Sequence, residues 1–354
     1  KVRGIYSEVN EIFKGTATQD LLDKYKPVMK GLMTAREMAS ITKERSRRNG
    51  TMELESNEPK FILNEDGICI DVQPRQTGES EQMIEQLMVT ANQAAAKLAE
   101  KEHLPFVYRV HENPKSLKIE TLIELVSSLG LDFSGIKKEN PSTAEFAAIL
   151  DQAVGTPAQK IVSYQILRTM EKARYATDPL GHFGLALADY CHYTSPIRRY
   201  PDTAIHRILT AFVNKKGRNY INEHYATYAQ DSATNSSEAE VKALVAERSA
   251  EDCYMAEYMT QHIGEQFDGI ISGVTNRGLF VQLTNSVEGF VPIDTFVDSE
   301  FEFDGMMTQI DRLTGDKLTI GMPIRIQVVA ADVSSGRIDF MPASEVGKMI
   351  KENK

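Results

Sequence analysis

Cysteine is scarce in this sequence of 354 residues: Cys69, Cys191 and Cys253 make three, scattered and free of any CxxC spacing. That argues against a disulfide framework and a cysteine zinc site, and fits a reducing cytoplasm. No apolar run approaches the roughly 18 residues needed to cross a membrane. No charged-then-apolar leader opens the chain, and there are no internal repeats. A basic excess is missing too, since 40 Lys and Arg face 50 Asp and Glu for a net charge of −10. A nucleic-acid binder relying on overall charge would be basic. Any such role here needs a local cationic patch within an acidic body. A close cluster of aspartates is absent before residue 100, where Asp20, Asp23, Asp66 and Asp71 stand apart. Hard cations such as Mg²⁺ need carboxylates gathered closely.

What is present reads as an α+β protein of two or three domains, the length being too great for one core. At the start, Val2, Ile5, Val9 and Ile12–Phe13 have the pattern of a domain interior. Helices are expected from residue 6 to about 48, ending in the basic run KERSRRNG with Gly50 as the cap. Short strands follow at MELES, KFILN and GICIDVQ, with a turn at Asn64–Gly67. A long amphipathic helix is predicted over 79–102, a strand at FVYRVHENP, and helices over 116–129, 143–153, 157–174, 201–214 and 235–263. After Gly264 the pattern changes to five short β-rich runs separated by Gly and Asp, the mark of a small closed barrel of the OB type. The last residues, EVGKMIKENK, form a polar tail.

The densest chemistry lies in HYTSPIRRYPDTAIHR, from His192 to Arg207. Ser195 before Pro196 is a helix-start signal, but Pro201 would break a helix already under way. The spacing therefore predicts one tight turn over 195–200 and a helix from about Pro201–Asp202. Arg198 and Arg199 then stand beside a helix N-terminus, where free N–H groups and arginine forks suit phosphate. His192, Tyr193 and Tyr200 are candidates to stack on bases or ribose. The same residue types also fit a surface turn in which Asp202 pairs with Arg198.

GHFGLALADYCHYTSPIRRYPDTAIHRIL, over residues 181–209, closely resembles the signature of the RNase II/RNase R family of 3′→5′ exoribonucleases, nearest to RNase R. GIYSEVNEIF, ESNEPKFILNEDG, MIEQLMVTANQAAAKLAE, FVYRVHENP, VAERSAEDCYMAEYM and GEQFDGIISGVTNRGLFVQL follow in the family's order, so the resemblance spans nearly the whole chain. It implies an incomplete RNB catalytic domain over 1–263, an S1 RNA-binding domain of OB fold over 264–343, and a tail over 344–354. It implies processive 3′→5′ degradation of RNA to nucleoside 5′-monophosphates. By the resemblance, Tyr6 stacks on the 3′-terminal nucleotide, Glu85 contacts the terminal ribose, Arg198 holds the scissile phosphate, and Glu247 lies near the terminal nucleotides. Leu54 stands where some relatives carry phenylalanine. Lys43, Arg45, Arg47 and Arg48 either line the RNA path or form a solvated helix end.

The family cleaves with Mg²⁺ held by clustered aspartates. The resemblance places that motif upstream of Lys1, leaving no metal ligand in this chain. In the barrel, Phe280 and Phe290 are expected to stack on RNA or, for either, to fill the core. Phe267, Phe301, Phe303, Arg277 and Lys317 are further candidates. Arg277 stands where relatives often carry an aromatic residue, and Pro292 where they often carry histidine. The partners implied are single-stranded RNA and the ribosome or other RNA-decay machinery, with a monomeric chain and no membrane. The alternative is a non-catalytic RNA-binding fragment or subunit.

Overall fold

The computed structural model describes residues 1–52, 58–132, 135–156 and 158–345. The strand expected at MELES lies, but for Met52, outside the described residues, as do Leu54 and most of the polar tail. The chain forms two compact units, taken separately below. One comprises residues 1–54, 76–154 and 164–241, the other 55–75, 155–163 and 242–354. Residues 55–75, 155–163 and 242–263, expected in the first domain, thus cluster with the barrel.

The first unit opens with α1 (Tyr6–Lys14), α2 (Gln19–Tyr25) and α3 (Met29–Arg48). In α1 the buried Val9, Ile12 and Phe13 follow helical spacing, and Gly15 closes the helix at φ +73°. The basic last turn of α3 runs into Asn49 and Gly50, as the sequence predicts. Next in sequence, β1 (Pro59–Leu63) and β2 (Cys69–Pro74) make an antiparallel hairpin in the second unit. The long helix α4 (Glu79–Glu102) returns to the first unit and matches its predicted span. Met83 of α4 joins Val9, Ile12, Phe13, Tyr25 and Ala39 in one core.

β3 (Tyr108–Val110) is followed by α5 (Ser116–Ser128), α6 (Thr143–Ala153) and α7 (Gln159–Thr169). The helix expected to reach 174 stops at Thr169, because β4 (Arg174–Ala176) pairs with β3, Tyr108 opposite Ala176. α8 (Tyr200–Val213) and α9 (Arg218–Thr260) complete the helices. α9 starts well before the expected 235. Its early Asn, Thr, Ser and Tyr residues are indifferent helix formers, but Ile221, Ala229, Ser232 and Ala233 are buried at helical spacing, and packing decides the matter. Ala95, Ala96 and Ala99 of α4, Ala204 of α8, and Ala229 and Ala233 of α9 share one core with Phe106, Val107, Ile205 and Ile208.

The barrel is closed by β5 (Gln266–Thr275), β6 (Gly278–Leu283), β7 (Glu288–Pro292) and, after an excursion, two further strands. The excursion is a three-stranded sheet of β8 (Phe301–Phe303), β9 (Thr308–Asp311) and β10 (Lys317–Thr319), absent from the sequence reading. β11 (Pro323–Asp332) and β12 (Arg337–Pro342) then close the ring in the order β11-β12-β7-β6-β5. The five expected runs are these five strands. Alternation sends Leu279, Val281, Val291, Ile326, Val328, Ile338 and Phe340 inward, each contributing about 1.5–3 kcal/mol by burial. Cys69 and Cys191 are buried and Cys253 of α9 is half-buried; all three are free thiols.

Candidate nucleic-acid interface

The turn before α8 is built by one carboxylate. Asp202, wholly buried in the first turn of α8, accepts the Ser195 backbone N–H at 2.7 Å and both forks of Arg199, Nε at 2.9 Å and Nη2 at 2.8 Å. The Ser195 carbonyl accepts the N–H groups of Arg198 and Arg199, and the Pro196 carbonyl accepts the Thr203 hydroxyl. The turn precedes a helix that starts at Tyr200, as predicted. Two expectations change, however. Ser195 holds the turn through its backbone rather than as a hydroxyl cap, and Arg199 itself occupies the N-cap position without a side-chain capping bond. Asp202 pairs with Arg199, not with Arg198. The Arg199 side chain is 16% exposed and held in this ion pair.

Arg198 is the contrast. It is exposed, and its side chain has no hydrogen bond or ion pair among the described residues. A guanidinium free on a fixed turn offers a bidentate fork to an incoming phosphate without first breaking a pair.

Beneath the turn lies a string of edge-packed rings: His111 against His182, His182 against Tyr190, Tyr190 against His192, and His192 against Tyr175. His192 Nδ1 and the Tyr175 hydroxyl share a hydrogen bond of 3.0 Å. Arg109 lies over the Tyr175 ring and forms a two-pronged pair with Glu240. Burial, then the charges of Arg199 and Arg109, drive the His192 pKa down to about 2. Burial and neighbouring His111 and Arg109 lower that of His182 to about 3. Both rings are therefore neutral. Tyr193 stacks on His206 with ring centroids 4.4 Å apart, and His206 Nε2 donates to the Tyr193 carbonyl. His192 and Tyr193, expected to touch RNA, each have a protein ring partner, Tyr175 and His206 respectively. Tyr200 is 52% exposed, its hydroxyl 3.2 Å from that of Tyr228.

α4 organises the remainder of this unit's site. Near its start, Ser80 donates its hydroxyl to the Tyr6 carbonyl and its N–H to Asn10. This fixes the head of α1, where the Tyr6 side chain is 48% exposed. Glu85 is exposed on the following turn. Asn92 lies two turns further along the same face and bonds the segment leading to Arg198. Tyr6, Glu85 and Arg198 are thus all open to solvent and are carried by α1, α4 and a segment bonded to α4. The basic end of α3 is mostly exposed, with Arg48 paired to Glu44.

Glu247, Phe280 and Phe290 belong to the second unit. Glu247 is exposed on α9, near Glu251, whose carboxyl is pushed up by burial and by the charges of Glu247 and Asp252. Phe280 and Phe290 face each other across β6 and β7 with ring centroids 5.2 Å apart. Both point outward, Phe280 being 38% exposed. Neither fills the core, because the inward positions belong to Leu279, Val281, Gly289 and Val291. Arg277 is exposed in the β5–β6 turn, and Lys317, Phe301 and Phe303 lie on the three-stranded excursion.

Among the described residues, no three His, Cys, Asp or Glu side chains gather so as to hold a metal ion. These residues do not fit a Mg²⁺ site. No helix among them is long and apolar enough to cross a membrane.

A mixed helix-and-strand unit bearing an arginine turn is followed in sequence by a closed five-stranded barrel of the OB type. The RNB domain model matches residues 1–215 and the S1 RNA binding domain model residues 260–341, and the chain belongs to the RNB family. It is 35% identical over 339 residues to Ribonuclease R 1 of Lactococcus lactis, covering 96% of this chain and 41% of that protein. With Ribonuclease R of Thermotoga maritima it shares 33% identity, covering 98% and 48% of the two chains. Mycoplasma genitalium RNase R, solved with ribose-methylated single-stranded RNA, superposes with a TM-score of 0.88 at 27% identity, over 95% of this chain and 52% of that one. The chain thus spans about half or less of the length of these relatives.

Signals for the supporting residues exist in the sequence only in part. Asn92 is a polar residue in an alanine-rich apolar stripe, which marks a buried amide with partners. Nothing local marks Arg109, Tyr175 or His182.

Proposed function

We propose that this chain is the RNA-gripping portion of a 3′→5′ exoribonuclease that releases nucleoside 5′-monophosphates. The RNB portion covers 1–263, the S1 domain 264–343 and a polar tail 344–354. The observation that carries the proposal is the unpaired Arg198 on a turn locked by Asp202 and Arg199. In this reading Arg198 holds the phosphate at the scissile position. Tyr6 stacks on the terminal base and Glu85 accepts hydrogen bonds from the terminal ribose. Phe280 and Phe290 guide single-stranded RNA. Cleavage of this class would use Mg²⁺, which would supply water activation and charge stabilisation at the phosphate oxygens; the described residues do not supply its carboxylate ligands. The enzyme works as a cytoplasmic monomer.

Support comes from the family match and from the likeness to relatives named Ribonuclease R. In the exoribonuclease containing this chain, Arg198→Ala is expected to lower kcat about 100-fold or more, with the melting temperature nearly unchanged. Single-turnover cleavage of a 5′-labelled RNA measures this, and wild-type turnover overturns the assignment. The same labelled RNA, incubated with this chain alone in Mg²⁺ or in chelator, separates a cutting chain from one that only binds.

A further inference from the structure

Asn92 is 2% exposed in an apolar stripe of α4, beside Ala95, Ala96 and Ala99. All of its side-chain bonds go to one segment. Its Nδ2 donates to the Tyr190 hydroxyl at 3.1 Å, and its Oδ1 accepts the Tyr193 N–H at 2.9 Å. Its backbone carbonyl accepts the Cys191 thiol at 3.1 Å. The amide orientation is settled by chemistry, since a backbone N–H must meet the oxygen. The chain from 190 to 202 is therefore anchored twice: by Asn92 at one end and by Asp202, through Ser195, at the other. Between the anchors stands the free Arg198. On α4, Glu85 lies seven residues before Asn92, about 10 Å along the same helix face.

Resting on the function proposed above, we infer that Asn92 is a positioning residue for RNA cleavage. It sets residues 190–193 against the helix that carries Glu85, and so fixes where the Arg198 fork meets the phosphate relative to the carboxylate that meets the ribose. A buried amide serving only packing would affect folding and leave the chemistry of folded molecules alone. An amide joining two RNA-contacting elements acts on turnover, through Arg198. Misplacement of a binding group by about 1 Å is enough to cost on the order of 100-fold in rate.

The test is a double-mutant cycle in the exoribonuclease containing this chain. Single-turnover cleavage, RNA affinity and melting temperature are measured for Asn92→Ala, Arg198→Ala and the double variant. Asn92→Ala is expected to lower kcat about tenfold or more with KM changed by less than about twofold. In the Arg198→Ala background the same substitution should have little further effect. Additive losses in the double variant overturn the positioning role, and so does wild-type kcat in Asn92→Ala. Unchanged kcat in Arg198→Ala alone overturns the proposed function itself and takes the Asn92 inference with it. If Asn92→Ala does not fold, Tyr190→Phe removes one of the bonds without opening a cavity. It should lower kcat about threefold, and only where Arg198 is present; no loss there overturns the proposal.

Discussion

The Arg198 turn and the outer face of the barrel hold the residues proposed to meet RNA in opposite ways. At the turn, one exposed cation stands beside the buried Asp202 and Asn92 and the half-buried Arg199 and His192. On the barrel, Phe280 and Phe290 project from a sheet whose core is built by other side chains. A preorganised fork suits a phosphate that must be met in one place, because no reorganisation is needed at the moment of reaction. A pair of rings on a strand face suits successive bases of any identity, since every base has a π-face. Changes beneath the turn should therefore disturb fold and chemistry together, whereas changes on the barrel face should disturb binding alone.

The largest expected effect is on the frame. Asp202→Ala leaves the Arg199 guanidinium without its partner, and removing one member of a buried pair costs about 3–5 kcal/mol. Denaturant unfolding measures it; a loss below about 1 kcal/mol would show that the frame is not what fixes the turn.

Acid comes next. His192 and His182, with pKa values lowered to about 2 and about 3, bind protons in the unfolded chain at pH values where the folded chain does not. His111 is shifted in the same direction, chiefly by burial. Their contribution is fully present above the unfolded value of 6.5 and is lost as pH falls below it. By pH 5 each such ring removes at most about 2 kcal/mol. Urea midpoints at pH 7.5 and 5 check this, and His192→Gln should flatten the slope.

A smaller effect belongs to the barrel. Phe280→Ala should weaken single-stranded RNA binding about tenfold while leaving the melting temperature almost where it was. A fall in stability matching that of a core deletion would erase the contrast between the two regions. The smallest effect is expected at Ile197, which is 102% exposed on the same turn. Ile197→Ser should leave unfolding free energy within about 0.5 kcal/mol, showing how sharply the locked side of the turn gives way to the open side.

Much of this organisation was legible in the residues. All five barrel strands follow the alternation of GIISGVT, GLFVQL and IRIQVV, and α4 follows its apolar spacing, because period and burial agree there. The turn before α8 could be read from Pro196 and Pro201. The first part of α9 could not, since Ile221, Ala229 and Ala233 become a helix face only once α8 lies against them. The resemblance singled out Arg198, but residue types alone did not separate it from Arg199. Adjacent arginines look alike in sequence, and the buried Asp202 separates the paired Arg199 from the exposed Arg198. The outward pair Phe280 and Phe290 depended on register: Phe280 opposite Phe290 places both on one face.

The burial of two cysteines has a practical consequence. Cys69 and Cys191 are fully enclosed, and burial raises both thiols, so neither offers a thiolate to a reagent in the folded chain. Cys253 is only half-buried. A maleimide dye added under native conditions should therefore attach at one place, on α9, giving a fluorescent reporter in the second unit without any cysteine having to be engineered in or out.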